Sequence, residues 1–494
     1  MKPSHSPSLE LFREKARTCN IVPVFRDILA DTDTPVSAFM KINDGQDAFL
    51  LESVEGGEKW GRYSFLGASA KKVIRSKGRT IETVEGGSVT TAEGDPLEAV
   101  KAMMSGFRPA SLEGAPRFFG GAIGYMGYDI VRHVEKLPDS SPRLLGLHDI
   151  YLMFTDTFLV FDNVEHRIKV VANAYIDKNT DIDAAYAEAV KKIDALVERL
   201  RGALPSKKQA ASAAAPLKIS SNFKKEDFLK AVEKVKDYIV DGDIFQCVLS
   251  QRFSTPLTAD PFDIYRALRV INPSPYMFYL KLGEAILVGS SPEILVRVEG
   301  ENVNVKPIAG TRKRGHDDEE DLLLEKDLLA DPKELSEHIM LVDLGRNDVG
   351  RVARAGTVEV DELMTVERYS HVMHIVSNVK GLMKKGMGSF EALKACFPAG
   401  TLTGAPKVRA MEIIEELEPC KREVYGGCVG YFDFSGNMDM CIAIRTLVIK
   451  GSTIHMQAGA GIVADSIPEK EFEETENKAR GMLKAVEMAR EGLT

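Results

Sequence analysis

The chain has 494 residues, a formal net charge of −9 and a pI of about 5.7, with 44% hydrophobic and 28% charged residues. This is globular composition with enough apolar residues for a sizeable core. The negative balance excludes a nucleic-acid binder that works through a general basic surface, but not a local cationic pocket for a small anion. The six cysteines, Cys19, Cys247, Cys396, Cys420, Cys428 and Cys441, form no CxxC pair, so neither a zinc knuckle nor a redox pair is signalled. Few scattered cysteines, no N-terminal apolar h-region and no apolar run near the roughly 20 residues of a membrane helix predict a reduced, cytoplasmic protein with no membrane and no nucleic-acid partner.

The N-terminal part reads as strands and turns with a few helices. Residues 48–53 form a short apolar run ending in a turn at 54–57. Residues 150–154 and 157–161 read as buried strands joined tightly. An amphipathic helix follows over 182–200, then the stretch LPSKKQAASAAAPLKISS at 204–221, which lacks hydrophobic periodicity and has linker composition. The predicted division is therefore 1–203, a linker at 204–221, and 222–494. The second part opens with a helix whose Phe228, Val232, Val235 and Ile239 share one face, with Gly242 as its stop. Strands and helices then mix without a fixed repeat or strict alternation. That pattern predicts an α/β (α+β) fold of layered, largely antiparallel β-sheets flanked by helices, rather than a barrel or a doubly wound sheet.

Five constellations could carry chemistry. Residues 331–338 start a helix with Pro332 in its first turn, and Glu334 and Glu337 share a face at i,i+3. A second acidic stretch, 471–478, is also helical. Carboxylates from two helices suit a hard cation such as Mg²⁺, which binds one or two carboxylates and keeps several waters; two solvated acidic faces explain the same pattern. In Gln457-Ala458-Gly459-Ala460-Gly461-Ile462, small residues either let the backbone approach a carboxylate or make a tight turn. Residues 399–407 form a Gly- and Thr-rich loop running into a helix opened by Pro406, whose N-terminus can face an anion. They do not meet G-x-x-x-x-G-K-[ST], so nucleotide binding is not supported. Arg445, within an apolar strand-like run and near Tyr425, needs an anion, either a ligand carboxylate or an internal partner. His371 and His374 would face opposite sides of a strand, which argues against joint zinc chelation. One of them as an acid/base and a purely structural histidine both remain open.

In order, the segments LLESVEGGEKWGRYSFLG, NPSPYMFY, KPIAGT, DPKELSEHIMLVDLGRND, YSHVMHIVSNV, FPAGTLTGAPKVRAMEII, YGGCVGYF, CIAIRT, QAGAGIVADS and EKEFEETENKAR resemble the chorismate-utilising enzymes, specifically the anthranilate synthase component I family. The resemblance covers nearly the whole chain. It implies the chorismate-binding enzyme fold and the reaction of chorismate with ammonia to give anthranilate and pyruvate, the committed step toward tryptophan. It further implies that Glu337 and Glu474 bind Mg²⁺, and that Gly310, Thr311, Tyr425, Arg445, Gly459, Ala460 and Gly461 hold chorismate. His374 and Thr401 would assist the chemical steps. Ala309 stands where the similar aminodeoxychorismate synthases carry a nucleophilic lysine. Gln246 stands where isochorismate and salicylate synthases carry a lysine that activates water, so ammonia is the expected nucleophile and aminodeoxychorismate synthesis the disfavoured alternative. A non-catalytic tryptophan-binding homologue is a second alternative, disfavoured by the intact acidic pair and Arg445. No cysteine lies in a G-x-C-x-G elbow, so release of ammonia from glutamine is expected from a separate amidotransferase subunit. Ser53, Pro275, Tyr276 and Met277 resemble a feedback site for L-tryptophan, formed where the N-terminal part meets the rest.

Overall fold

The computed structural model describes residues 5–45, 47–53, 62–116, 118–205, 216–369 and 372–493. The predicted turn at 54–57, most of the linker-like stretch and His371 lie outside the described residues. Two 12-stranded sheets dominate. The first runs Ile21–Leu29, Arg167–Tyr175, Thr157–Asp162, Tyr63–Gly67, Ala48–Glu52, Tyr276–Leu282, Ala285–Ser291, Thr446–Lys450, Thr453–Ile462, Gln246–Pro256 and Ser220–Ser221, with Gly404–Ala405 joined to Gln246–Pro256. The second runs Ile308–Lys313, Val372–Leu382, Asn302–Val305, Ile294–Glu299, Met438–Ile442, Cys428–Asp433, Gly121–Met126, Ile150–Phe154, Lys72–Lys77, Thr80–Glu85 and Ser88–Glu93, with Glu359–Arg368 also on Val372–Leu382.

The ladders within both sheets are antiparallel, as the mixed, non-alternating pattern of elements implies. Each sheet takes strands from both sides of the 204–221 stretch. In the first sheet the two parts meet where Met277 pairs with Glu52, and in the second where Gly430 pairs with Gly124.

Period-two alternation explains the layers. Along Ile150–Phe154, Ile150, Leu152 and Phe154 enter a core under the outer helices, whereas Tyr151 and Met153 enter a core between the sheets. Along Tyr276–Leu282, Phe278 and Leu280 enter that same inner core, while Met277 and Tyr279 turn outward to helices. Strands buried on both faces read as continuous apolar runs, which is why residues 150–154 and 158–161 are hydrophobic throughout. The tight link between Ile150–Phe154 and Thr157–Asp162 carries the chain from the second sheet to the first.

Helices Pro35–Ile42, Ile182–Arg201, Pro261–Ile271 and Pro468–Glu491 cover the outer face of the first sheet. Helices Pro96–Ser105, Pro332–Val352 and Ser389–Cys396 cover that of the second. The result is four layers, helices, sheet, sheet, helices, in which fully burying each large apolar side chain is worth about 1.5–3 kcal/mol. Among the described residues no helix is long and apolar enough to cross a membrane.

Candidate active site

The floor of the site is a strand end. Thr453–Ile462 pairs with Gln246–Pro256, placing Gly459 opposite Ser250 and Gly461 opposite Val248. The segment 457–462 is thus strand rather than turn. Ala460 and Ile462 point into a core with Cys247, Leu249 and Phe472, so Gly459 and Gly461 face the other way. A Cβ at Gly459 would lie 2.8 Å from the Tyr425 hydroxyl, and one at Gly461 2.6 Å from Nε2 of Gln246. At Gly459 the backbone carbonyl of Leu249, 2.9 Å from that Cβ, also closes the space, whereas at Gly461 a side chain would have to push the Gln246 amide aside. Ala460 therefore brings only its backbone to the site.

Two helices supply carboxylates. Asp331 caps helix Pro332–Val352 by accepting from the backbone N–H groups of Lys333 and Glu334, which fixes the first turn and the direction of Glu334 and Glu337. Gln246 Nε2 donates to Glu337 at 3.3 Å. That bond sets the amide's orientation and leaves the buried Oε1 of Gln246 without a hydrogen-bond partner among the described residues. Glu334 Oε2 lies 3.2 Å from where a Cβ of Gly310 would be. Burial and the neighbouring Glu337 both push the Glu334 carboxyl up.

From helix Pro468–Glu491, Glu474 pairs with Lys478 at 2.7 Å, and Lys478 also donates to the Gly459 carbonyl at 2.9 Å. Glu471, one turn before Glu474, is likewise pushed up by burial and, against the pull of Ser466, by Glu474. Among the described residues no three His, Cys, Asp or Glu side chains cluster as a metal cage. Two carboxylates flanking a glycine strand, one through Gln246 and one through Lys478, fit Mg²⁺, which completes its shell with waters and substrate oxygens; they do not fit a closed zinc site.

The remaining wall comes from the second sheet. Between Ala309, which pairs with Ile375, and Thr311, which pairs with His374, the register shifts. Gly310 occupies the bulge at φ 66°, a left-handed conformation open to glycine. Its carbonyl meets Nδ1 of His374 at 2.9 Å, and Thr311 Oγ1 lies 3.1 Å from the same nitrogen. A carbonyl only accepts, so Nδ1 donates and the neutral ring keeps Nε2 as an acceptor. Burial lowers the His374 pKa, and the charge of Arg445 adds to that.

Thr401, on the short helix Gly400–Thr403, donates to Glu293 at 2.9 Å. Burial pushes the Glu293 carboxyl up, opposed by the Thr401 bond and by the charges of Arg445 and Lys478. Glu293 and Thr401 line a small cavity of about 50 Å³ with Lys306, Pro307, Leu344 and Ile442. Tyr425 is buried, which drives its hydroxyl pKa well up and keeps it protonated.

Arg445 does not lie within a strand, as its apolar neighbours suggested. It stands between Met438–Ile442 and Thr446–Lys450 at φ 46°, and its Nη1 donates to Asn272 at 3.4 Å. The apolar run is two strands of different sheets joined through residues 443–445.

A second cavity, of about 250 Å³, opens between the sheets, and Ser53, Pro275, Tyr276 and Met277 all line it. Phe65, Tyr431 and Cys441 add apolar wall. The Tyr276 hydroxyl donates to Asp439 at 2.9 Å, and Arg297 pairs with Asp439 at 2.6 Å. Glu52 is buried at its edge, bonded to the Tyr265 hydroxyl and paired with Arg269 at 3.3 Å.

The sequence reading missed Glu293 and Lys478. The signal at Glu293 was an acid two residues after the apolar strand Ala285–Ser291, beyond Pro292. Lys478 was hidden in a charge run.

The model of the family described as chorismate binding enzyme matches residues 47–484. The anthranilate synthase component 1 of Acetivibrio thermocellus is 51% identical over 491 residues, covering 98% of this chain and 99% of that protein. That of Aquifex aeolicus is 49% identical over 487 residues, covering 98% of each. The crystal structure of anthranilate synthase component I from Streptococcus pneumoniae superposes with a TM-score of 0.77 at 37% identity, covering 92% of this chain and 98% of that one. The chain belongs to the chorismate-binding enzymes, in their anthranilate synthase component 1 branch.

Proposed function

We propose that this enzyme converts chorismate and ammonia to anthranilate and pyruvate in the cytoplasm, with ammonia supplied from glutamine by an amidotransferase partner subunit. The observation that carries the reading is that the charge of Arg445 bears on both Glu293, whose carboxyl burial pushes up, and His374, whose imidazole burial pushes down, while Lys478 reaches from Glu474 to the Gly459 carbonyl; Arg445 and the Gly459–Gly461 backbone suit the two carboxylates of chorismate. Ala309 offers no amine, which disfavours the aminodeoxychorismate alternative.

Glu337 and Glu474 would hold Mg²⁺, which when bound supplies charge stabilisation and orientation of the ring carboxylate. Gly310, Thr311 and Tyr425 complete the chorismate pocket. Ammonia adds at ring C2. Gln246 Oε1, which has no hydrogen-bond partner among the described residues, accepts one of its N–H groups and, being no base, leaves water inactive. As the C–N bond forms and the double bonds shift, the C4 hydroxyl leaves with a proton from Glu293, whose bond to Thr401 fixes its direction. Once the added nitrogen has shed its extra proton, His374 Nε2 takes the C2 proton as the C2–C3 double bond forms and the C3–O bond breaks; the ring becomes aromatic, and the departing enolpyruvate takes a proton at its methylene carbon to become pyruvate.

The cavity at Ser53, Pro275, Tyr276 and Met277 is the proposed L-tryptophan feedback site. Residues 1–203 would give one of its walls, residues 222–494 the other wall and the catalytic groups, and 204–221 the link between them. Incubating the purified chain with chorismate, Mg²⁺ and ammonium should produce anthranilate fluorescence, whereas glutamine in place of ammonium should produce none. Glutamine-dependent turnover by the partner-free chain would refute the partner requirement, and no product with ammonium would refute the reaction.

A further inference from the structure

Lys478 is a charged group that the chemistry above does not use. It stands one turn after Glu474 on helix Pro468–Glu491, and an i,i+4 Glu–Lys pair on a half-exposed helix is by itself commonplace and weak. Its second bond is not commonplace. The same ammonium reaches across to the carbonyl of Gly459, in the strand that floors the site. Lys478 is thus stretched between a carboxylate proposed to ligate Mg²⁺ and the backbone proposed to receive chorismate. Its charge also bears on Glu293 and Glu471, so it sits amid the site's acids.

A divalent cation held by Glu337 and Glu474 would share the carboxylate whose Oε1 Lys478 now engages, and would repel an ammonium left beside it. Two cations compete for one carboxylate, and the arriving substrate brings two new ones. We infer that Lys478 is an internal counter-ion for Glu474 that the metal displaces onto a carboxylate of incoming chorismate, so that metal and substrate each strengthen the binding of the other. This rests on the reading that Glu474 is a metal ligand. Lys478 thereby penalises the metal-only state, where it has lost Glu474 and gained no anion. Linkage makes the effect reciprocal, with chorismate tightening Mg²⁺ by the same factor as Mg²⁺ tightens chorismate.

The test is calorimetric titration of the full chain with MgCl₂, with and without chorismate, and with ammonium withheld so that no nitrogen nucleophile is present. The parent should bind Mg²⁺ weakly alone and roughly tenfold tighter or more with chorismate. Lys478→Met should bind Mg²⁺ alone roughly fivefold tighter than the parent, with the chorismate-linked gain falling toward one. Lys478→Gln, which keeps a donor for the Gly459 carbonyl but no charge, should behave as the Met variant does. Glu474→Gln separates the two readings. Weakened Mg²⁺ binding in Glu474→Gln, together with parent-like affinity and coupling in both Lys478 variants, would overturn this inference and leave the metal site standing. Parent-like Mg²⁺ binding in Glu474→Gln would overturn both.

Discussion

The proposed chorismate site and the cavity at Ser53 are built from different materials. The first has a glycine strand for its floor and takes its charged groups from helices Pro332–Val352 and Pro468–Glu491, and from Arg445 and Glu293. The second lies between the two sheets and takes nearly all of its wall from strands, with one partly buried cluster of Tyr276, Asp439 and Arg297. A site of charges depends on each charge, because every carboxylate there is answered by a specific partner. A cavity between packed sheets depends on shape, because its walls are already committed to the core. Single substitutions should therefore act on rate in the first region and on ligand response in the second.

The largest effect is expected at the carboxylates. Glu337→Gln or Glu474→Gln should lower anthranilate formation by about 10²-fold or more, the scale of losing one electrostatic catalytic element. Equal activity in both variants and the parent would sink the assignment. Ala309→Lys comes next. It puts an amine one residue before the Gly310 bulge without the rest of the rival site, and should slow anthranilate synthesis by roughly tenfold. Full activity there would mean that Ala309 does not face the substrate.

pH sharpens the picture of the catalytic region. His374 must be neutral to take a proton, and burial holds its pKa below the ordinary 6.5, so the acid-side loss of kcat/KM should be centred below 6.5. Glu293 must be protonated to give one, and its carboxyl is raised above 4.5, so the alkaline fall reports that group. An acid limb centred at or above 6.5 would remove His374 as the desolvated base.

The smallest effect on uninhibited rate is expected at Ser53→Phe, which fills the second cavity. Turnover without tryptophan should be nearly that of the parent, while inhibition by added L-tryptophan is lost. Unchanged inhibition in the variant would move the regulatory site elsewhere. Loss of basal turnover would break the distinction between the two regions.

Much of this was legible in the sequence. The helices at 182–200 and from Pro332, and the apolar runs at 48–53 and 150–161, follow from local pattern and capping. The antiparallel layering followed from the absence of strict alternation. What local pattern did not carry is register. That Gly461 lies under the Gln246 amide depends on pairing across two distant stretches of chain, with Gly461 opposite Val248. Glu293 is a site residue only because Thr401 arrives from 108 positions away. Arg445 looked like a strand residue because its flanks are apolar, and its left-handed backbone is imposed by the change of sheet.

That change of sheet has a mechanical meaning. Residues 443–445 are the short strap by which Met438–Ile442 of the second sheet passes to Thr446–Lys450 of the first. The cavity at Ser53 is bounded by Tyr276 and Met277 of the first sheet and by Asp439 and Cys441 of the second, with Cys441 on the same stretch of chain as the strap. A non-glycine residue at φ 46° has little slack, since its conformation costs of order 1–3 kcal/mol and persists only while its surroundings enforce it. A wedge that altered the spacing of the sheets would load this strap together with the other short crossings at 155–156 and 292–293, and two of the three crossings carry a charged group of the proposed site, Arg445 and Glu293.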